Sequence, residues 1–202
     1  MIWLVVTIAA WGVVHSWLAS LGFKDAVRRV FGEQVGRGYR LVYNLFSIVS
    51  FAPILVLWRI LPDRLLYAVE PPWLYFMLAG QGLSAVALLV AISQTDALAL
   101  LGLRQITGGQ ESSELVTDGF YRYVRHPMYL FGLLTIWLAP EMTANTLVAW
   151  IALSVYLFVG AYFEEKKLTR VFGSMYSEYR SRTPMIIPLK KRAARRTWYG
   201  KA

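Results

Sequence analysis

Two short strings in the second half of the chain hold the residue types most able to do chemistry. The first runs Gly119-Phe-Tyr-Arg-Tyr-Val-Arg-His-Pro-Met-Tyr-Leu-Phe-Gly132. Its His126-Pro127 pair stands where an apolar run begins, and proline suits a first helical position because the amide it lacks would have no partner there. The open amides of such a helix start, with Arg125 and His126 beside them, are suited to an anion. Tyr129 and Gly132 follow at three-residue steps, and the glycine lets another backbone or a ligand come close. The same Arg-His pair also serves elsewhere simply as an interfacial anchor. The second string, Tyr162-Phe-Glu164-Glu165-Lys-Lys-Leu168, puts two carboxylates at the end of the last apolar run. If the helix stopped there, its macrodipole would oppose them by about 0.3–1 kcal/mol each. Glu164 can pair with Lys167 one turn on, or it can face a cation. An anion site and a cation site on one membrane face suit an amino-acid-like zwitterion that carries a further positive charge. Beyond lie Phe172-Gly173, Tyr176, Tyr179, Arg180 and Pro188, with the two tyrosines on one helical face to pack over the site or anchor at the interface.

The elements that must hold these strings are membrane helices. Of the 202 residues, 57% are hydrophobic and 16% charged, and the mean hydropathy is +0.46. The apolar residues fall in long blocks, which is the pattern a bilayer requires. Four of these blocks are residues 2–21, 41–61, 73–92 and 143–163. A fifth, 127–139, covers only about 20 Å and is short, tilted or extended by its flanks. The expectation is an all-α integral membrane bundle of about five helices, the last two a hairpin, with basic loops at 22–40 and 94–126. The latter is a long polar connection with no clear periodicity, of the kind that is usually functional. With no cysteine and only two histidines, His15 and His126, disulfides, thiolate metal sites and cysteine nucleophiles are excluded and no metal site is expected.

Five crossings place residues 22–40, 94–126 and the C-terminal segment on one side. They carry five, three and eleven basic residues, 19 of the 21. That asymmetry predicts an N-terminus outside and a C-terminus in the cytoplasm, in a bacterial inner membrane. It also explains the net charge of +9 by anionic lipid, not nucleic acid. Three parts are expected: a three-helix membrane part (1–93), a part carrying both strings (94–190), and a basic tail (191–202) whose Lys190–Arg196 run lies on headgroups. His15, the other intramembrane titratable group, is a functional candidate or a helix-to-helix hydrogen bond.

Residues 100–190 resemble the isoprenylcysteine carboxyl methyltransferase and phospholipid methyltransferase superfamily. The resemblance rests on Leu115-Val116-x-x-Gly119-x-Tyr121-Arg122-x-x-Arg125-His126-Pro127-x-Tyr129-x-x-Gly132 and on Glu164-Glu165-x-x-Leu168-x-x-x-Phe172-Gly173-x-x-Tyr176-x-x-Tyr179, closed by Pro188. His15-Ser16 and the Tyr-Arg-x-x-Tyr run resemble thiol methyltransferase-like and denitrification-associated bacterial members. The resemblance implies S-adenosylmethionine in a pocket formed with the cytoplasmic segments, and a small or lipophilic acceptor (thiol, carboxylate or amine) that reaches it from solution or the bilayer. By motif position, Leu115, Val116, Gly119 and Tyr121 would line its adenosine side. Arg125, His126, Tyr129 and Gly132 would surround its methionine portion. Glu164 and Glu165 would meet its ammonium or ribose hydroxyls, with Glu165 and Arg180 the candidates for the catalytic step. Two other readings compete: an NADPH-dependent membrane reductase with a related Arg-His-Pro pocket, and a non-catalytic membrane factor associated with respiration or denitrification.

Overall fold

The computed structural model describes residues 2–106 and 114–189. Gly108-Gly109, Glu111 to Ser113 and the polybasic tail from Lys190 lie outside these residues. The chain is an all-α membrane bundle. In order come α1 (Ile2–Ala19), α2 (Leu21–Ile60), β1 (Leu65–Ala68), α3 (Trp73–Ser93), α4 (Ala97–Leu101) and α5 (Leu103–Ile106). A 3-10 turn at Gly119–Arg122 precedes α6 (Pro127–Trp137), β2 (Glu141–Thr143) and α7 (Ala144–Arg182). Residues 2–19, 35–60 and 73–93 and the helix 144–182 are long and apolar enough to cross a membrane, whereas α6, at 11 residues, is shorter. Large apolar side chains such as Trp3, Ile48, Leu83 and Val155 point outward, as lipid-facing residues must.

The expected basic loop at 22–40 is helical instead. Ser20 caps α2 by accepting the Phe23 amide at 3.3 Å, and the helix bends at Gly32, where φ +83 and ψ 170 leave helical space. Charged residues along a surface helix need no loop, and no proline interrupts this stretch before Pro53. The last helix likewise runs beyond 163. It passes through both glutamates and bends at Gly173 (φ +57, ψ −124) before ending at Arg182. Glu164 and Glu165 therefore lie mid-helix, and the dipole penalty expected at a terminus does not arise.

Helices α1 and α2 run antiparallel, pinned by Tyr39 Oη to the Leu18 carbonyl (2.8 Å), by Tyr43 to His15, and by Trp11 Nε1 to Ser50 Oγ (2.9 Å). Gly12 packs α1 against the Tyr156 ring of α7. Helix α6 lies chiefly along α3, where Gln81 Nε2 donates to the Thr135 carbonyl at 2.8 Å. It is also antiparallel to α7, as Trp137 meets Ser154 while Tyr129 meets Glu164. On the side away from the motifs, β1 and β2 pair antiparallel, Leu65 opposite Thr143 and Ala68 opposite Glu141. Asp63 Oδ1 there accepts the Asn145 amide at 2.9 Å and the Arg64 amide at 2.8 Å, fixing the start of α7.

Candidate active site

The two strings meet. Arg125 is buried, and its Nε donates to Glu165 Oε1 at 2.6 Å while Nη2 contacts the same oxygen. Its Nη1 donates to the carbonyls of Arg180 (3.1 Å) and Thr183. Side chains 5% and 7% exposed make this a desolvated ion pair, and such pairs hold only when the remaining donors and acceptors are satisfied. Two further bonds dock the closing segment here: the amides of Arg125 and His126 donate to Pro184 and Met185 carbonyls at 2.9 and 3.0 Å. Tyr179 Oη donates to the Tyr121 carbonyl at 2.5 Å, tying the last turns of α7 to the 3-10 turn.

This arrangement corrects the expected anion site. Arg125 is neutralised by Glu165, and the His126 amide is taken by Met185. The Tyr129 amide returns to the His126 carbonyl at 3.1 Å, so the α6 start presents fewer open donors than a bare helix terminus. Glu164 stays half-exposed, accepting a hydrogen bond from Tyr129 Oη at 2.9 Å with His126 Nδ1 3.6 Å away. The His126 and Tyr129 rings stack at 5.3 Å and 7°. Burial holds the His126 imidazole below the ordinary histidine value, with Arg125 adding to that effect, although Glu164 and Glu165 pull the other way. Burial, with the Glu164 charge beside it, pushes the Tyr121 phenol up to about 12.

These groups surround a cavity of about 450 Å³. Of the sequence-predicted residues, Leu115, Val116, Tyr121, Arg125, His126, Tyr129 and Glu164 line it. Glu165 lies behind Arg125, and Arg180 flanks the pair from outside, its Nε 3.5 Å from Glu165 Oε2; neither faces the cavity. Gly119 is also off the wall. It has φ +58, and a Cβ there would lie 2.5 Å from the Gln94 amide, whose Oε1 accepts the Phe120 amide at 3.0 Å. Only glycine suits that close approach in the left-handed region. A Cβ on Gly132 would meet no atom within 4 Å, so no neighbouring backbone explains that glycine. The structure adds Arg40, Asp96, Ala99, Leu100, Lys167 and Tyr176 to the wall. Asp96 was discernible as an N-cap signal, and it does cap α4 through the Ala99 amide (3.0 Å) while pairing with Arg104 at 2.8 Å. Arg40 stands in the Tyr-Arg-x-x-Tyr run, whose sequence gives no sign that it reaches this wall.

Among the described residues, buried Tyr121 Oη at this wall has no hydrogen-bond partner, His126 Nε2 has only Glu165 Oε1 at 3.5 Å, and Tyr176 Oη lies beside the Arg125 guanidinium. Unsatisfied groups facing a cavity are the mark of a binding site awaiting a polar ligand. The volume falls within the roughly 300–1,000 Å³ usual for small-molecule sites. The donor set fits S-adenosylmethionine, since tyrosine faces attract a sulfonium, Glu164 an ammonium, and Lys167 a carboxylate.

Residues 75–175 match the sequence profile of the phospholipid methyltransferase family. The chain is 31% identical over 189 residues to methanethiol S-methyltransferase 1 of Bradyrhizobium diazoefficiens, which covers 91% of this chain and 65% of that protein. It is 33% identical over 186 residues to methanethiol S-methyltransferase of Crocosphaera subtropica, covering 86% and 69%. A third relative is the protein-S-isoprenylcysteine O-methyltransferase of Schizosaccharomyces pombe, 33% identical over 123 residues, 49% of this chain and 51% of that one. The chain thus spans about two thirds of the length of its bacterial relatives. No solved structure matches the chain. Motifs, membrane helices and relatives agree: the chain belongs to the phospholipid methyltransferase family of integral membrane methyltransferases.

Proposed function

We propose that the protein is an S-adenosylmethionine-dependent S-methyltransferase acting on a small thiol, with its cavity open to the cytoplasmic face of a bacterial inner membrane. The observation that carries this reading is the cavity itself, where Glu164, Tyr129 and His126 from the two motifs converge beside Tyr121 Oη, which has no partner among the described residues. The cofactor would bring a methyl group already activated on a sulfonium. The protein then has to orient, exclude water and hold charge, and no elaborate acid–base apparatus is needed. Glu164 would hold the ammonium, its carboxylate fixed by Tyr129 Oη. The cavity's tyrosine rings would favour the positive sulfonium. Arg125 and Glu165 act as positioning residues, locking the His126 helix start to α7 and to the closing segment. Arg180 shields the outer edge of that pair. The thiol acceptor is favoured by the two bacterial relatives that match most of the chain, whereas the isoprenylcysteine relative matches half of it.

The test is direct binding by calorimetry to the purified protein in detergent, S-adenosylmethionine against NADPH, followed by methylation of small alkanethiols monitored as thioether. Saturable binding of the first ligand and thioether formation are expected. Binding of NADPH alone would establish the reductase reading, and binding of neither by folded protein the non-catalytic one.

A further inference from the structure

One stretch of the chain is neither a membrane crossing nor part of the cavity wall: the start of α2, residues 21–31. It joins the antiparallel crossings 2–19 and 35–60, so it lies at one face of the membrane. The bend at Gly32 divides it from the second crossing. The Arg28 stem packs across that bend, where a Cβ on Gly36 would lie 2.5 Å from Arg28 Cγ. The stretch is amphipathic. Phe23, Val27, Val30 and Phe31 fall within one arc at 3.6 residues per turn, and Lys24, Asp25, Arg28 and Arg29 fill the opposite one. Contacts fix which way the apolar arc turns. The Phe23 ring meets Trp17 of the first crossing edge-on at 4.5 Å and stands 6.0 Å from the Tyr39 ring of the second. Trp17 is itself exposed among the lipid-facing side chains of α1, so the arc that holds Phe23 is turned toward the bilayer. Past that anchor the arc is open among the described residues, with Val30 72% and Phe31 65% exposed. Asp25, Arg28 and Arg29 are exposed on the other side, and Arg29 Nε donates to the Asp25 carbonyl at 3.3 Å.

We propose that residues 21–31 are an interfacial helix that docks on anionic phospholipid of the bilayer the protein spans. Val30 and Phe31 enter the boundary between headgroups and acyl chains, continuing the lipid-facing surface that Trp17 ends. Lys24, Arg28 and Arg29 lie along the headgroup phosphates, three cations against the single Asp25. Two features choose this occupant. A helix facing water gains nothing by leaving Val30 and Phe31 uncovered, and a crossing would not carry four charges within three turns. A second copy of the chain seated on the apolar arc would leave the basic arc without a counter-charge. An anionic leaflet meets both arcs at once.

The experiment uses the full chain in phosphatidylcholine nanodiscs. The chain has no cysteine, so Val30→Cys, Phe31→Cys or Arg29→Cys each carries a single nitroxide label. Labels at positions 30 and 31 should be reached by dissolved oxygen and shielded from a water-soluble nickel chelate, and the label at 29 should show the reverse. A fluorophore on Val30→Cys then reads which lipid gathers beside it, by energy transfer to trace acceptor-labelled phosphatidylglycerol or acceptor-labelled phosphatidylcholine. Transfer to phosphatidylglycerol should exceed that to phosphatidylcholine. Combining Lys24→Gln, Arg28→Gln and Arg29→Gln should lower this local enrichment about fivefold or more, with the label depths at 30 and 31 kept. Should that triple change fail to fold, Arg29→Gln alone leaves the Arg28 packing at Gly36 intact and should lower the enrichment by a smaller factor. Labels at 30 and 31 open to the nickel chelate, or equal transfer to the two lipids in the unneutralised chain, overturn the proposal. Dipolar broadening between position-30 labels on two copies also overturns it, because it gives the apolar arc to a second chain.

Discussion

Helix α7 is fastened at both ends by polar groups, and the two fastenings differ in kind: Asp63 at one end is exposed, whereas Arg125 and Glu165 at the other are buried. At the β1–β2 end, Asp63 accepts the Asn145 and Arg64 amides, and Thr143 Oγ1 accepts the Thr146 amide at 3.2 Å. These bonds satisfy a helix start, one of them from within the same turn and one from 82 positions back in the sequence. At the motif end, Arg125 reaches Glu165 and then the carbonyls of Arg180 and Thr183, joining segments 40, 55 and 58 positions apart. The first arrangement closes a helix. The second pairs its charges with each other beside a cavity of about 450 Å³, where Tyr121 Oη has no partner among the described residues. A fastening built of paired charges around a volume belongs to binding, whereas one whose acceptors go to helix-start amides belongs to stability.

The sharpest way to break that contrast is Arg125→Ala. It leaves buried Glu165 with only Arg180 and His126, each at 3.5 Å, and removing one member of such a pair costs about 3–5 kcal/mol. Thermal unfolding in detergent should fall steeply, and cofactor binding should be lost. Glu165→Ala should cost less, because Arg125 keeps its two carbonyl acceptors. Next in size, Glu164→Gln should weaken S-adenosylmethionine binding about tenfold, equivalent to roughly 1.4 kcal/mol, with little change in thermal stability. Calorimetry with a parallel melt separates the two effects.

At the other end, Asp63→Ala should cost about 1 kcal/mol of stability, as loss of a helix cap does, and leave the cofactor affinity unchanged. Slight desolvation alone would raise the Asp63 carboxyl. The hydrogen bonds from Thr143 and from the Asn145, Arg64 and Ala144 amides outweigh it and hold the group below its ordinary value. A depressed carboxylate stabilises the fold above its unfolded pKa and loses that contribution as pH falls through the folded one. The stability difference between wild type and Asp63→Ala should therefore shrink below about pH 4. The smallest effect is at His126. Because burial lowers its pKa, the unfolded chain takes up the proton first, so stability is full above 6.5 and declines as pH drops below it. His126→Asn should flatten that decline in melts recorded across mildly acidic pH.

Much of this was legible before any coordinates. The apolar blocks gave α3 within a residue or two, the start of α6 at Pro127 and the start of α7 near residue 143, because a bilayer imposes length and composition directly on the chain. Residues 22–40 were misjudged as a loop because charges interrupt their short apolar stripe, and only Gly32 breaks the helix. In the site, the motifs identified His126, Tyr129 and Glu164 but not their partition. Spacing made Arg125 and Glu165 look like an anion site and a cation site, and nothing local says that they quench each other.

The sequence alone determined that this protein lives in a membrane and where its apolar crossings lie, and it singled out the two strings that line the cavity, since these depend on composition and short-range spacing. Tertiary structure decided which charges pair and which face the cavity, and it brought Arg40, Asp96 and Tyr176 to the wall. It also set His15 against Tyr43 between α1 and α2. The physical reason is that an ion pair or an open ring nitrogen is defined by contacts between distant segments, and desolvation is a property of the packed bundle that no single segment possesses.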